Sequence, residues 1–173
     1  AVLVEDAWGE PVSLQKVEAA FDAHPDTRIL AFVHAETSTG VRSDVAALCA
    51  LATHRGALSI VDAVTSLGGI EVSVDKWGVD AMYSGTQKCL SCVPGISPVT
   101  FSDRAVERIN RRDHKVQSWF LDMQLVMGYW GGASKRAYHH TAPINNLYAL
   151  HEALVMLEEE GLVAAQARHL RNH

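Results

Sequence analysis

Apolar positions along the 173 residues fall into two alternating kinds of run. Short continuous runs are bounded by polar or turn-forming residues, as strands are: Val2–Val4, Ile29–Val33, Leu58–Val61, Asp80–Ser84 and Ser97–Phe101. Ile29–Val33 has no polar position, which predicts a strand buried on both faces. Between these runs apolar residues recur at helical spacing. Leu14, Val17, Ala20 and Phe21 follow the capping residue Ser13 and end near His24-Pro25. Val45, Leu48, Leu51 and Ala52 follow Ser43 or Asp44 and stop at Gly56, and Ala105, Val106 and Ile109 follow Ser102 or Asp103. Glu71–Val74 reads as a brief extended piece and Asp75–Gly78 as one helical turn. Pro143 opens a long amphipathic helix with Leu147, Leu150, Leu154 and Leu157 on one face, running to about Glu160. Gly161 breaks it, and a last amphipathic stretch follows.

Strand, helix, strand, helix, strand in alternation is the signature of an α/β fold with a mainly parallel sheet and flanking helices. In such sheets ligands sit beyond the carboxyl ends of the strands. Thr37, Asp62 and Lys88 fall at or just past such ends. The length allows one good core. No repeat or low-complexity segment interrupts it.

Composition narrows the function classes. A net charge of −5 and a pI near 6.0, with scattered Lys and Arg, offer no basic field for nucleic acid. The basic stretch Arg111–Lys115 reads as a solvated loop. No apolar run approaches the roughly 20 residues that cross a bilayer, so no membrane partner is expected. Cys49, Cys89 and Cys92 are too few for a disulfide framework, which favours a reducing, cytoplasmic setting, with organellar targeting left open. Cys89 and Cys92 have a C-x-x-C spacing, but no second such pair follows, and free thiols on a pocket floor are the preferred reading over a metal or redox site. His139 and His140 invite a metal reading. Adjacent side chains on an extended segment point apart, however, and no further ligand stands at the right spacing, so no metal is expected.

Two stretches carry the candidate chemistry. Ile60–Gly69 and Tyr83–Leu90 each run from an apolar strand into a loop of small and hydroxylated residues, and each places one ionisable group, Asp62 or Lys88, where a strand ends. Charge there needs a partner or a shifted pKa. A lysine so shifted is a nucleophilic amine able to form a Schiff base. Asp62 and Lys88 would then address opposite sides of one cofactor.

With His34–Gly40 and Tyr138–Pro143, these stretches supply four blocks: His-Ala-Glu-Thr-Ser-Thr-Gly, Val61-Asp-Ala-Val-Thr-Ser-Leu-Gly-Gly69, Ser84-Gly-Thr-Gln-Lys-Cys-Leu90, and Tyr-His-His-Thr-Ala-Pro. In order and spacing they resemble the class V branch of the pyridoxal-phosphate aminotransferases, and within it the alanine-glyoxylate and serine-glyoxylate group. The resemblance implies the large cofactor-binding domain of a fold type I enzyme. It also implies that the chain is an internal segment of a protein roughly twice as long, with residues 1–142 the central part of that domain and 143–173 helices leading toward a smaller one.

The resemblance further implies roles. Lys88 holds pyridoxal phosphate as an imine and moves the proton at the substrate α-carbon. Asp62 faces the pyridine nitrogen and keeps it protonated. Val64 presses on one face of the ring, and Thr37 offers a hydroxyl near the phenolic oxygen. Gln87, helped by Thr86, donates to the phosphate. Tyr138 and Thr141 match positions that reach the phosphate from a neighbouring subunit, implying a homodimer with shared active sites. The expected reaction transfers an amino group from alanine or serine to glyoxylate.

Three alternatives stand beside it. Asn145 offers an amide to a ureido group, which admits an (S)-ureidoglycine-glyoxylate aminotransferase of purine catabolism, although the same Asn is equally suited to helix capping. Cysteine desulfurases share the fold and the lysine but usually carry His before it, where this chain has Gln87. A catalytically silent remnant that only associates with partners is the third.

Overall fold

The computed structural model describes residues 1–130 and 137–172. Helix α1 spans Leu14–Ala23, and the Ser13 side chain caps it by accepting from the Lys16 N–H. It is followed by strand β1 (Ile29–Val33), helix α2 (Val45–His54), strand β2 (Leu58–Asp62), the single turn α3 (Val74–Trp77) and strand β3 (Ala81–Tyr83). Strand β4 (Val99–Phe101) and helices α4 (Asp103–Asn110), α5 (Met123–Trp130), α6 (Ile144–Glu160) and α7 (Leu162–Asn172) complete the described elements. Asp44, not Ser43, caps α2, and Ser102 caps α4. Gly56, Gly78 and Gly161 follow helix ends at positive φ, a region glycine enters without steric cost.

The sheet order is β1-β2-β3-β4, the first three strands parallel and β4 antiparallel to β3. Phe32, Val61 and Met82 share one register row and face the helical layer, where they meet Val17 and Phe21 of α1 and Val45, Leu48, Cys49 and Ala52 of α2. The next row, Val33, Asp62 and Tyr83, points to the opposite face at the carboxyl edge. Register alone thus sets the carboxylate and the phenol side by side on adjacent strands.

The amino edge of the sheet is tied by a buried charge. Asp80, only 2 % exposed, accepts from the Ser59 N–H at 3.0 Å and the Ser102 hydroxyl at 2.8 Å, with the Arg104 guanidinium at 3.7 Å. The Ser59 hydroxyl in turn accepts from the Asp80 N–H at 3.0 Å. This network links β2, β3 and the start of α4, and it satisfies a carboxylate that would otherwise be costly to bury.

Several expectations fail here for physical reasons. Val2–Val4 forms no strand: it finds no sheet partner among the described residues, and an unpaired extended segment gains nothing from its apolar composition. Strand β1 is covered on one face only, with Ile29 53 % exposed on the other, because α1 and α2 both pack on the Phe32 side. Val74 belongs to α3, not to an extended piece. The leucine stripe of α6 is only partly covered, with Leu147 and Leu154 exposed and Ala153 buried.

Candidate active site

Asp62 ends β2, and both of its carboxylate oxygens are engaged. Oδ1 accepts from the Val64 N–H at 2.8 Å, a turn that Asp favours at a strand end, and Oδ2 accepts from the Tyr83 hydroxyl at 2.7 Å. The bond to Asp62, then burial and the negative charge, pushes the Tyr83 phenol up to about 12. Tyr83 therefore stays a donor throughout the physiological range. It is the partner that an anion in this position requires, and spacing within its own strand assigns it no role. The available signal was register: Tyr83 ends β3 as Asp62 ends β2.

Around Asp62 three loops are laced together. The His34 N–H donates to the Asp62 carbonyl at 2.9 Å, and the Ala63 N–H to the Tyr83 carbonyl at 2.9 Å. The Ser84 hydroxyl donates to the Ala63 carbonyl at 2.9 Å, and the Thr65 hydroxyl to the Ala35 carbonyl. Past Ala35 the chain folds on Glu36, whose carboxylate accepts from both the N–H and hydroxyl of Ser38 at 3.0 and 2.8 Å, which holds it below the usual carboxylate range. Thr37 stands exposed at the tip of this loop. Behind it His34 is buried with Nδ1 unpartnered, edge-on to Trp77, and burial together with the Arg42 charge lowers it to about 4.

Lys88 departs from expectation. It is exposed and stands on a turn five residues beyond Tyr83, not at the buried end of a strand. Beyond β3 the Ser84 and Thr86 N–H groups reach back to the carbonyls of Pro98 and Ile96, so the chain continues alongside the approach to β4 before it turns. Thr86 is fully buried; its hydroxyl donates to the Val93 carbonyl at 2.6 Å and its carbonyl accepts from Cys92. That use pins the turn and leaves Thr86 unavailable as a phosphate ligand. Gln87 is exposed, its amide folded over the bare face of Gly85.

The residues after Lys88 rest on the Asp62 loop. Leu90 packs on Gly68, where a Cβ would lie 3.1 Å from its Cδ2, and Cys89 packs on Gly69, where a Cβ would lie 2.5 Å from Sγ. The Cys89 thiol, pushed up by burial, donates to the Thr65 carbonyl at 3.3 Å. Gly68 and Gly69 form a shelf, and the turn bearing Lys88 is seated on it. The structure thus brings the Asp62–Val64 and Lys88 loops into contact.

Tyr138 and Thr141 are exposed and bonded to one another through their hydroxyls. Among the described residues no hydrogen bond joins this pair to Asp62 or Lys88. His139 and His140, expected to diverge, instead meet Nδ1 to Nδ1 at 2.7 Å, with ring centroids 5.0 Å apart at 87°. No group of three potential metal ligands occurs among the described residues. No described helix is long and apolar enough to cross a membrane.

The donor set suits an aromatic aldehyde phosphate: an oriented carboxylate at a strand edge, an exposed primary amine on a turn fastened to the same loop, and hydroxyl and amide groups nearby. Comparison with known proteins agrees. Alanine–glyoxylate aminotransferase of Oryctolagus cuniculus is 40 % identical over 162 residues, covering 93 % of this chain and 41 % of that protein. The crystal structure of an alanine–glyoxylate aminotransferase from Nostoc sp. superposes with a TM-score of 0.91 at 49 % identity, over 98 % of this chain and 44 % of that one. The ureidoglycine–glyoxylate aminotransferase of Bacillus subtilis superposes with a TM-score of 0.88 at 37 % identity, over 96 % and 42 %. The chain thus spans about two-fifths of the length of the relatives it matches. The aminotransferase class-V family model matches residues 6–173, and the chain belongs to that family.

Proposed function

We propose that this chain is the central cofactor-binding part of a pyridoxal-phosphate-dependent aminotransferase that moves an amino group from a small amino acid, alanine or serine, to glyoxylate. Residues 1–142 would form the core of the large domain, and 143–173 would lead toward a smaller one. The observation that carries the reading is the Asp62 carboxylate, oriented by Tyr83 and the Val64 N–H, on a loop whose glycine shelf seats the Lys88 turn.

Bound pyridoxal phosphate supplies an aldehyde that condenses with amines and a ring that takes up an electron pair. Lys88 is exposed on its turn, and its flexible side chain would be the amine that holds the group's aldehyde and can move clear of it. The same amine would take up and return the proton at the substrate α-carbon. Asp62 would accept from the pyridine N–H of the group and hold the proton at that nitrogen. The Tyr83 and Val64 donors spread the carboxylate's charge and fix its plane, so little reorganisation is needed when charge moves onto the ring. Val64 would bear on the ring face and Thr37 on the phenolic oxygen. Gln87, with Tyr138 and Thr141 of a second copy, would hold the phosphate.

A second reading has one observation in its favour. Asn145 is exposed on the first turn of α6, where Pro143 occupies the cap position with no side-chain cap bond, so Asn145 is not consumed as a cap. Its amide suits a ureido group, and ureidoglycine then replaces alanine as donor. The complete protein, assayed for pyruvate from alanine and glyoxylate beside turnover of ureidoglycine, separates the two. In both cases Lys88→Ala abolishes turnover; retained turnover in that variant refutes the proposal. Absence of turnover with every donor in a folded, cofactor-loaded protein would instead support the silent remnant.

A further inference from the structure

The histidine pair has a chemistry that its hydrogen bonds fix. His139 is 4 % exposed and stacks on Trp119, with centroids 4.1 Å apart at 16°. Its Nε2 lies 3.1 Å from the Trp119 carbonyl oxygen, which can only accept, so Nε2 carries the hydrogen. In a neutral imidazole Nδ1 is then the acceptor, and the contact to His140 Nδ1 at 2.7 Å requires His140 to donate. One backbone carbonyl thereby sets the tautomers of both rings. His140 is further fenced by Phe120 and Tyr129, with centroids at 5.4 and 5.9 Å, and Tyr129 meets Tyr138 edge-on at 6.1 Å. The paired hydroxyls of Tyr138 and Thr141 flank the two histidines in sequence.

We infer that His139 is a positioning residue for the Tyr138–Thr141 hydroxyl pair: anchored to the Trp119 carbonyl and coupled to His140, it holds the backbone between the two hydroxyls so that both present to one phosphate. The inference rests on the proposed role of those hydroxyls as phosphate ligands. An extended segment with solvent-exposed Tyr138 and Thr141 has no regular hydrogen-bond ladder to define it, and its order must come from side chains. His139 is the buried residue of the block Tyr138–Pro143. Its two nitrogens reach in opposite directions, one to the 119 segment and one to its own neighbour. Phenylalanine would keep the stack and lose both bonds. Glutamine would restore a donor toward the Trp119 carbonyl.

The test compares the affinity of the complete protein for pyridoxal phosphate with that for pyridoxal, which lacks the phosphate. His139→Phe is expected to lower the preference for the phosphorylated form about tenfold, the loss of roughly one charge-assisted hydrogen bond, and His139→Gln to restore most of it. If Tyr138→Phe/Thr141→Val lowers the preference and His139→Phe does not, the inference is overturned while the phosphate reading stands. If the double variant leaves the preference unchanged, the phosphate reading fails and takes the inference with it. Ring ¹⁵N spectra of the unmutated protein at neutral pH do not depend on any variant folding. A hydrogen on Nε2 of His139 and on Nδ1 of His140 supports the inference, and the opposite tautomers refute it.

Discussion

Replacing Gly69 by alanine probes the contact that joins the two halves of the site. The added Cβ would stand 2.5 Å from Cys89 Sγ and 3.1 Å from Cys89 Cβ, while His169 Cδ2 at 3.8 Å is at ordinary distance. A relaxed contact of this kind is about 3.5–4.0 Å, so Sγ must retreat by roughly 1 Å. It cannot do so by rotation alone without giving up the bond to the Thr65 carbonyl. Overpacking of this size costs about 1–3 kcal/mol. Either the shelf and the turn part, or Cys89 moves and carries Lys88 with it. Both outcomes weaken cofactor binding, by at most the roughly 5- to 150-fold that this energy corresponds to, since strain shared by the free and bound protein shows only in stability. Removing the sulfur in Gly69→Ala/Cys89→Ala leaves only the 3.1 Å contact, and most of the binding should return. Titration of the complete protein with pyridoxal phosphate, followed by fluorescence, with thermal denaturation beside it, measures both effects. Unchanged binding in Gly69→Ala, or a double variant no better than the single, would refute the shelf.

Three further perturbations bear on the surrounding structure. Tyr83→Phe removes one donor from Asp62 and should lower kcat by about tenfold with a smaller change in KM, since a neutral-to-charged hydrogen bond of about 1.5–3 kcal/mol is only partly realised at an exposed position; equal kcat in the variant would show that the phenol does not matter to Asp62. The raised pKa of Tyr83 also favours its neutral form in the fold, so its contribution to stability is complete below pH 10 and is lost as pH rises through about 12, which alkaline unfolding of the wild type and Tyr83→Phe should resolve. His34 works in the opposite direction: buried neutral and lowered from 6.5 to about 4, it gives stability that is complete above pH 6.5 and lost as pH falls toward 4, about 3 kcal/mol in all. His34→Phe, which keeps the edge contact with Trp77, should flatten denaturant midpoints over that window. Asp80→Ala leaves the buried Ser59 N–H unpaired and should cost about 3 kcal/mol in chemical denaturation without altering cofactor contacts.

Helices α1, α2, α4 and α6 were legible because local chemistry specifies them: Ser13, Asp44 and Ser102 supply side-chain caps, and Gly56 and Gly161 relieve the chain where it leaves the helix. The βαβ alternation was legible for the same reason, and with it the placement of Asp62 at a carboxyl edge. What depends on a partner was not. Val2–Val4 has strand composition and no strand to pair with, and Ile29 has the character of a core residue without a layer above it. Leu147 and Leu154 keep helical spacing whether or not anything covers them. Around the site, the bond of Tyr83 to Asp62 follows from strand register across 21 positions, which spacing in one strand cannot reveal. The resemblance makes Thr86 a helper to Gln87 at the phosphate, but its burial and its bond to Val93 make it a pin. The assumption that His139 and His140 diverge came from ideal strand geometry, which an irregular segment does not obey.

The proposed chemistry requires Lys88 to be the amine that receives the cofactor beside Asp62. Borohydride reduction of the complete protein loaded with pyridoxal phosphate, followed by peptide mapping by mass spectrometry, addresses it directly. One phosphopyridoxyl adduct is expected, on the peptide containing Gln87-Lys88-Cys89, absent from Lys88→Ala. An adduct on a different lysine, or adducts spread over Lys16, Lys76 and Lys115 with Lys88 unlabelled, would contradict it.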